Sequence, residues 1–179
     1  MSRWRAAQSA ALISLTALGG CSLLSSAGSK PTDPCPNTVI LRPLAQTAVF
    51  GPAPERRPDN VAFYGILSEA ELKCQYTADA LHMNLDVVVA AERGPAAGNG
   101  DAVDLNYFVA VTGPDQAIIS KKPFAVRIAF DTPQKRAGVT DHIEETVPLG
   151  GRKATDLSVD VGFQQNPEVV DFYKHFRGR

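Results

Sequence analysis

A chain of 179 residues, 44 % hydrophobic and 21 % charged, has enough apolar side chain for one sizeable core. Its formal net charge of −1 excludes a broad basic surface. Arg56-Arg57 and the tail Lys174 to Arg179 read as solvated ends, so no nucleic-acid partner is expected.

The first element is a leader. Arg3 and Arg5 supply a positive start, and Ala10 to Leu18 give an apolar stretch too short to span a bilayer permanently. Leu18-Gly19-Gly20-Cys21 follows. An ordinary secretory cleavage site favours an A-x-A-like pattern, whereas leucine, two small residues and a cysteine resemble the lipobox of bacterial lipoproteins. The resemblance implies that residues 1–20 are removed and that the Cys21 sulfur carries a diacylglyceryl group, the new N-terminus usually being acylated too. Each buried CH₂ contributes about 0.8 kcal/mol, and two or more chains hold stably where one is marginal. No later segment approaches the roughly twenty apolar residues of a spanning helix. The expected partner of Cys21 is therefore a membrane surface. Ser22 stands where lipoproteins retained in the inner membrane often carry Asp, which favours the outer membrane with the body facing the periplasm. The periplasmic leaflet of the inner membrane is the alternative. Loss of the leader removes two of 18 basic residues and none of 19 acidic ones, for a net charge of about −3. It also removes Trp4, the one tryptophan, which weighs lightly against a sugar- or base-stacking surface.

Residues 21–34 read as the lipidated cysteine and a tether rich in Ser, Gly and Pro, unable to bury enough apolar surface to order itself. Fully extended, Ser22 to Pro34 reach at most about 45 Å. With Cys21 assigned to lipid, Cys35 and Cys74 remain. An even pair in a small exported domain is usually a disulfide, and C-x-x-C redox or metal spacing is absent. Closing the loop of about 40 residues gives roughly 4 kcal/mol by the chain-entropy model, an upper figure.

From residue 35 to 179 one domain is expected. Short strands fall at Val39–Leu41 and Thr47–Phe50. In "VAFYGILSEAELKCQYT" the even positions Ala62 to Tyr76, Cys74 among them, share the inward face against Glu69, Glu71, Lys73 and Gln75. Met83, Leu85, Val87, Val89 and Ala91 oppose His82, Asn84 and Asp86. A hairpin joins Tyr107–Val111 to Ala117 onward through Gly113-Pro114-Asp115-Gln116. Phe124, Val126, Ile128 and Phe130 then alternate with Arg127. Val139, Ile143, Val147 and Leu149 alternate with His142 and Glu144, and Leu157, Val159, Val161 and Phe163 with Ser158 and Asp160. Seven or eight such strands imply a mainly β, antiparallel sandwich of the immunoglobulin or fibronectin type III kind, with a small closed barrel as the alternative. Asn166 as N-cap, Pro167 and Glu168 open a helix over 167–177 with Val169, Phe172, Tyr173 and Phe176 along one stripe. So short a helix needs a surface to dock on. Several strands are apolar on both faces, so the helix is expected to cover part of a second face, with a homodimer or partner as the other cover.

Reaction machinery is sparse. There is no Gly-x-Ser-x-Gly elbow or phosphate-cradling glycine loop. His82, His142 and His175 match no metal spacing, so neither metal nor cofactor is expected beyond the lipid on Cys21. Glu144 and Glu145 point to opposite faces of a strand. The loops Gly51–Asn60 and Gly94–Asp104, the latter with Asn99, Asp101 and Asp104 in a faintly calcium-loop-like order, are polar connectors and the longest candidates for loop-borne binding. "CPNTVILRP", "ELKCQYTADA", "DVVVAAERGPAA" and "YFVAVTGPDQAIISKKPFAVRIAF" together resemble a group of bacterial envelope lipoproteins with no assigned activity, over Cys35 to about Phe163. The resemblance brings no catalytic residues. The expectation is a non-enzymatic, lipid-anchored module that binds or scaffolds another envelope component. The alternative is a small-ligand carrier or enzyme whose site assembles from distant residues such as Asp86, His142 and Glu144.

Overall fold

The structure, a computed structural model, describes residues 34–131 and 133–176. The leader, Cys21 and the tether up to residue 33 lie outside the described residues, as does Arg177 at the expected end of the helix. Among the described residues eight strands run in chain order: β1 (Asn37–Ile40), β2 (Gln46–Phe50), β3 (Val61–Tyr76), β4 (Ala80–Arg93), β5 (Ala102–Thr112), β6 (Ile118–Ala129), β7 (Arg136–Pro148) and β8 (Ser158–Phe163). One helix, α1 (Pro167–His175), closes the list.

The strands form two four-stranded sheets, β1-β8-β5-β6 and β2-β3-β4-β7. Only β1 and β8 pair in parallel; every other neighbouring pair is antiparallel. This is the expected sandwich. Among the described residues no ladder joins the two sheets, which disposes of the closed barrel. With the immunoglobulin type it shares two layers, and it has its own strand order. Among the described strands the chain changes sheet between β1 and β2, β4 and β5, β6 and β7, and β7 and β8, the last two crossings setting β7 beside β4 and β8 beside β5.

Ladder directions give the molecule two distinct ends. Chain entry at Cys35, the β3–β4 turn, the β5–β6 turn and the β7–β8 connection share one end. The connections β2–β3, β4–β5 and β6–β7 share the other. At about 3.3 Å per residue, the 16 residues of β3 place the two ends roughly 50 Å apart.

The core is the pair of inner faces. Leu85, Val87 and Val89 of β4 meet Leu105, Tyr107 and Val109 of β5, with Ile128, Val159, Val161 and Phe163 around them. Gly65 occupies a point where the layers touch: a Cβ there would lie 2.8 Å from Thr47 Cγ2 and 2.9 Å from Leu105 Cδ1.

One expectation for β3 is corrected. Cys74, Leu72 and Ala70 do face the core, but Phe63, Gly65 and Leu67 do so in the first half, leaving Ile66 42 % exposed and Tyr64 on the outer side. The cause is a bulge. Leu67 pairs with Val89 and Glu69 with Val88, so Ser68 is an extra residue that reverses the inward parity.

That reversal leaves apolar groups on the outer face of β2 and β3, and α1 covers them. Asn166 Oδ1 accepts from the Val169 amide at 2.9 Å, Pro167 takes the first helical position, and Phe172 is buried against Ala48 and Val61. The Phe172 ring meets Phe50 edge-on at 5.2 Å. Tyr173 donates its hydroxyl to the Thr47 carbonyl at 3.0 Å. The expected docking of the helix on a second sheet face therefore holds.

Cys35, ahead of β1 in one sheet, is bonded to Cys74 on β3 of the other, with Cα atoms 5.7 Å apart. Tyr76 donates to the Pro34 carbonyl at 2.8 Å beside the bridge.

Replacing Cys74→Ala should cost about 2–4 kcal/mol of stability and abolish the effect of reductant on the denaturant midpoint. An unchanged midpoint would show that the bridge adds nothing. Burial first, and Tyr64 second, push the Tyr173 phenol up to about 12 from an ordinary value near 10. Because the folded value is the higher, the contribution is complete below pH 10 and is lost as pH rises through 12. Tyr173→Phe should flatten the fall in stability over that window, measured by urea unfolding at stepped pH.

Candidate interaction site at the loop end

At the end remote from Cys35, three connections are bound into one surface. Val61 and Ala62 in β3 act as the shared wall. The Gly94 amide donates to the Ala62 carbonyl at 2.7 Å and the Ala96 amide to the Val61 carbonyl at 2.9 Å. The Gly51 amide closes its own loop onto the Asn60 carbonyl at 2.8 Å, and Gly51 lies directly against Ala96. Gly94 is required here, because a Cβ would run into the Val61 carbonyl.

Arg93 is the central tie. Its guanidinium donates to the Gly100 carbonyl in one loop and to the Gln134 carbonyl in the next, the latter at 3.2 Å, and stacks over Phe130 with Cζ 4.7 Å from the ring centroid. Its backbone amide holds the Lys135 carbonyl at 2.9 Å, and Phe130 donates to Asp101 at 2.8 Å. On the other flank Arg56 lies over Phe50 and pairs with Glu168 of α1 at 2.8 Å. Nε of Arg56 thereby links the β2–β3 loop to the helix. Loops held this way present polar groups and charges of both signs on a fixed base. The sequence pointed to two of the three loops by length. Arg93 could not be found that way, because the signal lies in partners 7 and 41 residues away.

Asp86, His142 and Glu144 fall on the outer face of β4 and β7. His142 Nδ1 sits 2.6 Å from Asp86 Oδ1, as their cross-strand register requires, and both side chains are exposed. Glu144 lies two residues further along β7 on the same face, opposite Asn84. The pair lines neither of two surface grooves with volumes of about 370 and 290 Å³. Glu145 does point the other way from Glu144: it reaches between the sheets to Lys122 of β6. His82 and His175 bond to Thr146 Oγ1 at 3.0 Å and the Asp171 carbonyl at 2.8 Å. Asp104 is held by Arg127 at 2.9 Å, in β5 and away from Asn99. Among the described residues no three His, Cys, Asp or Glu side chains are placed to share a metal ion, and no helix is long and apolar enough to cross a membrane.

Sequence reasoning missed Tyr107. It is wholly buried in β5, and its hydroxyl donates across the layers to Asp141 Oδ2 of β7 at 2.6 Å. Burial, then Asp141, hold the phenol far above its ordinary range.

No protein-family model, curated protein or solved structure matches the chain.

Arg93→Ala should release the loops without unfolding the sandwich. Amides of Ala97, Gly100 and Gln134 are expected to exchange at least about tenfold faster while those of Val87 and Val109 keep their protection. Uniform acceleration throughout would instead make Arg93 a general stability residue.

Proposed function

We propose that the chain is a non-catalytic lipoprotein of the bacterial envelope, anchored through Cys21 in the outer membrane and presenting its loop end to another envelope component. The observation that carries the reading is Leu18-Gly19-Gly20-Cys21 after a short apolar run. Two or more acyl chains on that residue supply a stable hold on a bilayer. Supporting it, the chain enters the body at one end and the long loops lie roughly 50 Å away along β3. A membrane-bound tether at residue 34 thus leaves the loop end free to meet a partner. The inter-sheet disulfide suits the oxidising periplasm.

Cells grown with radiolabelled palmitate should label the protein, and Cys21→Ser should abolish the label and move the chain from the outer-membrane to the soluble fraction. In intact cells, a photocrosslinker at Asn99 or Gln134 should yield one stoichiometric adduct that the same probe at Asp115 does not. Label-free protein with unaltered fractionation of the serine variant would end the anchor reading. Identical crosslinks from both ends would end the assignment of the binding face.

A further inference from the structure

We propose that an extended polypeptide segment of a partner docks beside β5, in the strand position that β8 vacates after Phe163. The inference rests on reading the chain as a binding module and names the chemistry of what it binds. β6 pairs with β5 along its whole length, Ala102 to Thr112, whereas β8 pairs only from Tyr107 to Thr112. Among the described residues, Ala102 to Asn106 therefore have a neighbouring strand on one side alone. The last rung on the other side is the Gln164 amide donating to the Asn106 carbonyl at 3.0 Å. Main-chain direction alternates along a strand, so the N–H and C=O of Asp104 and Ala102 point to the vacated side, away from β6.

The chain leaves because it is drawn across to the other sheet. Gln165 Nε2 donates to the Gln46 carbonyl at 2.6 Å, and Asn166 starts α1. These groups, with the Tyr173 hydroxyl on the Thr47 carbonyl, cover the β2 edge. Among the described residues the main chain of Asp104 receives no such cover. Beside it lies a groove of about 370 Å³, within the range of ligand clefts. Thr47 forms part of the floor. Only 8 % of it is exposed. Ala48, Leu105 and Val169 supply the apolar part of the lining, and Asn106 and Gln164 are among the residues that supply amides.

Free rungs at strand spacing, with neutral amides around them, match the main chain of a peptide added as a strand. A saccharide is disfavoured, since none of the groove's described lining residues has a ring on which a sugar could stack. Alternate side chains of the added segment would meet Leu105 and Val169, which selects small or β-branched residues there.

The test uses full-length protein in detergent and a phage-displayed library of short linear peptides. An enriched peptide should bind in anisotropy titrations. Asp104→Pro, which deletes one outward N–H on an edge that tolerates proline, should weaken binding about tenfold or more, and Asp104→Ala should leave it unchanged. Methylating alternate amides of the peptide should weaken binding equally, and this arm holds even if the proline variant fails to fold. The proposal falls if no peptide is enriched, or if neither the proline nor the methylated amides matter. It falls equally if chito-oligosaccharides bind in a manner that Thr47→Val abolishes and Asp104→Pro spares, or if the chain self-associates through the slot and Asp104→Pro disperses it. None of these outcomes bears on palmitate labelling, so the slot and the anchor stand or fall separately.

Discussion

The extra residue at Ser68 is the constraint from which the layering follows. A strand of 16 residues with strict alternation can serve one core only, and β3 has apolar groups on both parities before Leu67 and on one after it. Reversing parity at Ser68 sends Phe63, Gly65 and Leu67 inward first and Ala70, Leu72 and Cys74 inward later. Two consequences are linked. The first half acquires an apolar outer face, which creates the seat for α1. The second half turns Cys74 towards the other sheet, where Cys35 can reach it. Helix docking and the covalent tie between the sheets thus both depend on one unpaired residue in one ladder.

Polar groups between the layers are arranged with the same economy. The strands β6 and β7 are the edges of their sheets on one flank, and they approach one another. Lys122 and Glu145 face inward there and pair, while Asp141 takes the hydroxyl of Tyr107. An inward charge on an edge strand discourages pairing with a foreign strand, and its counter-charge from the opposite layer limits the cost of burying it. Losing Asp141 would leave the hydroxyl of the wholly buried Tyr107 without this partner, so the contact fixes how the layers are aligned as much as it adds stability. The flank bearing β1, β2 and α1 is closed differently, by the short strand, the helix and the amide of Gln165. Among the described residues, Ala102 to Asn106 of β5 beyond β8 and Ser68 to Tyr76 of β3 beyond β2 each keep a ladder neighbour on one side alone.

Period-two alternation made the sandwich legible, because a strand's inward residues repeat regardless of what lies opposite. β4 shows why: Leu81, Met83, Leu85, Val87, Val89 and Ala91 are all buried and all in one phase. The helix was legible for a local reason, since Asn166-Pro167-Glu168 encodes a start within three residues. Strand order was not, as nothing within β8 states that its neighbours are β1 and β5. Nor was the bulge, because Ser68 lies in a run whose even positions look uniformly suited to one face, and parity reverses only against β4. Asp86 and His142 were each recognisable as polar-face residues, and their meeting follows from a register that the sequence does not print. Arg93 and Tyr107 act through partners on other strands and loops, which hides them from any local reading.

The position of the disulfide joins fold to the proposed anchorage. β1 has four residues and a parallel ladder with β8, and a load applied through the tether would reach it at its first residue, opening rungs one at a time. Cys35 precedes that first rung. Tension arriving along the chain therefore divides at the sulfur bridge and enters β3, whose ladder with β4 runs from Phe63 to Tyr76 and resists as a length of strand rather than rung by rung. β1 can then stay short, an asset in an edge strand, without being the weak point of attachment. On this view the three cysteines form one mechanical series. Under the proposed anchorage Cys21 would hold lipid, Cys35 would receive the tether, and Cys74 would pass the load to the strand whose other end carries the loops.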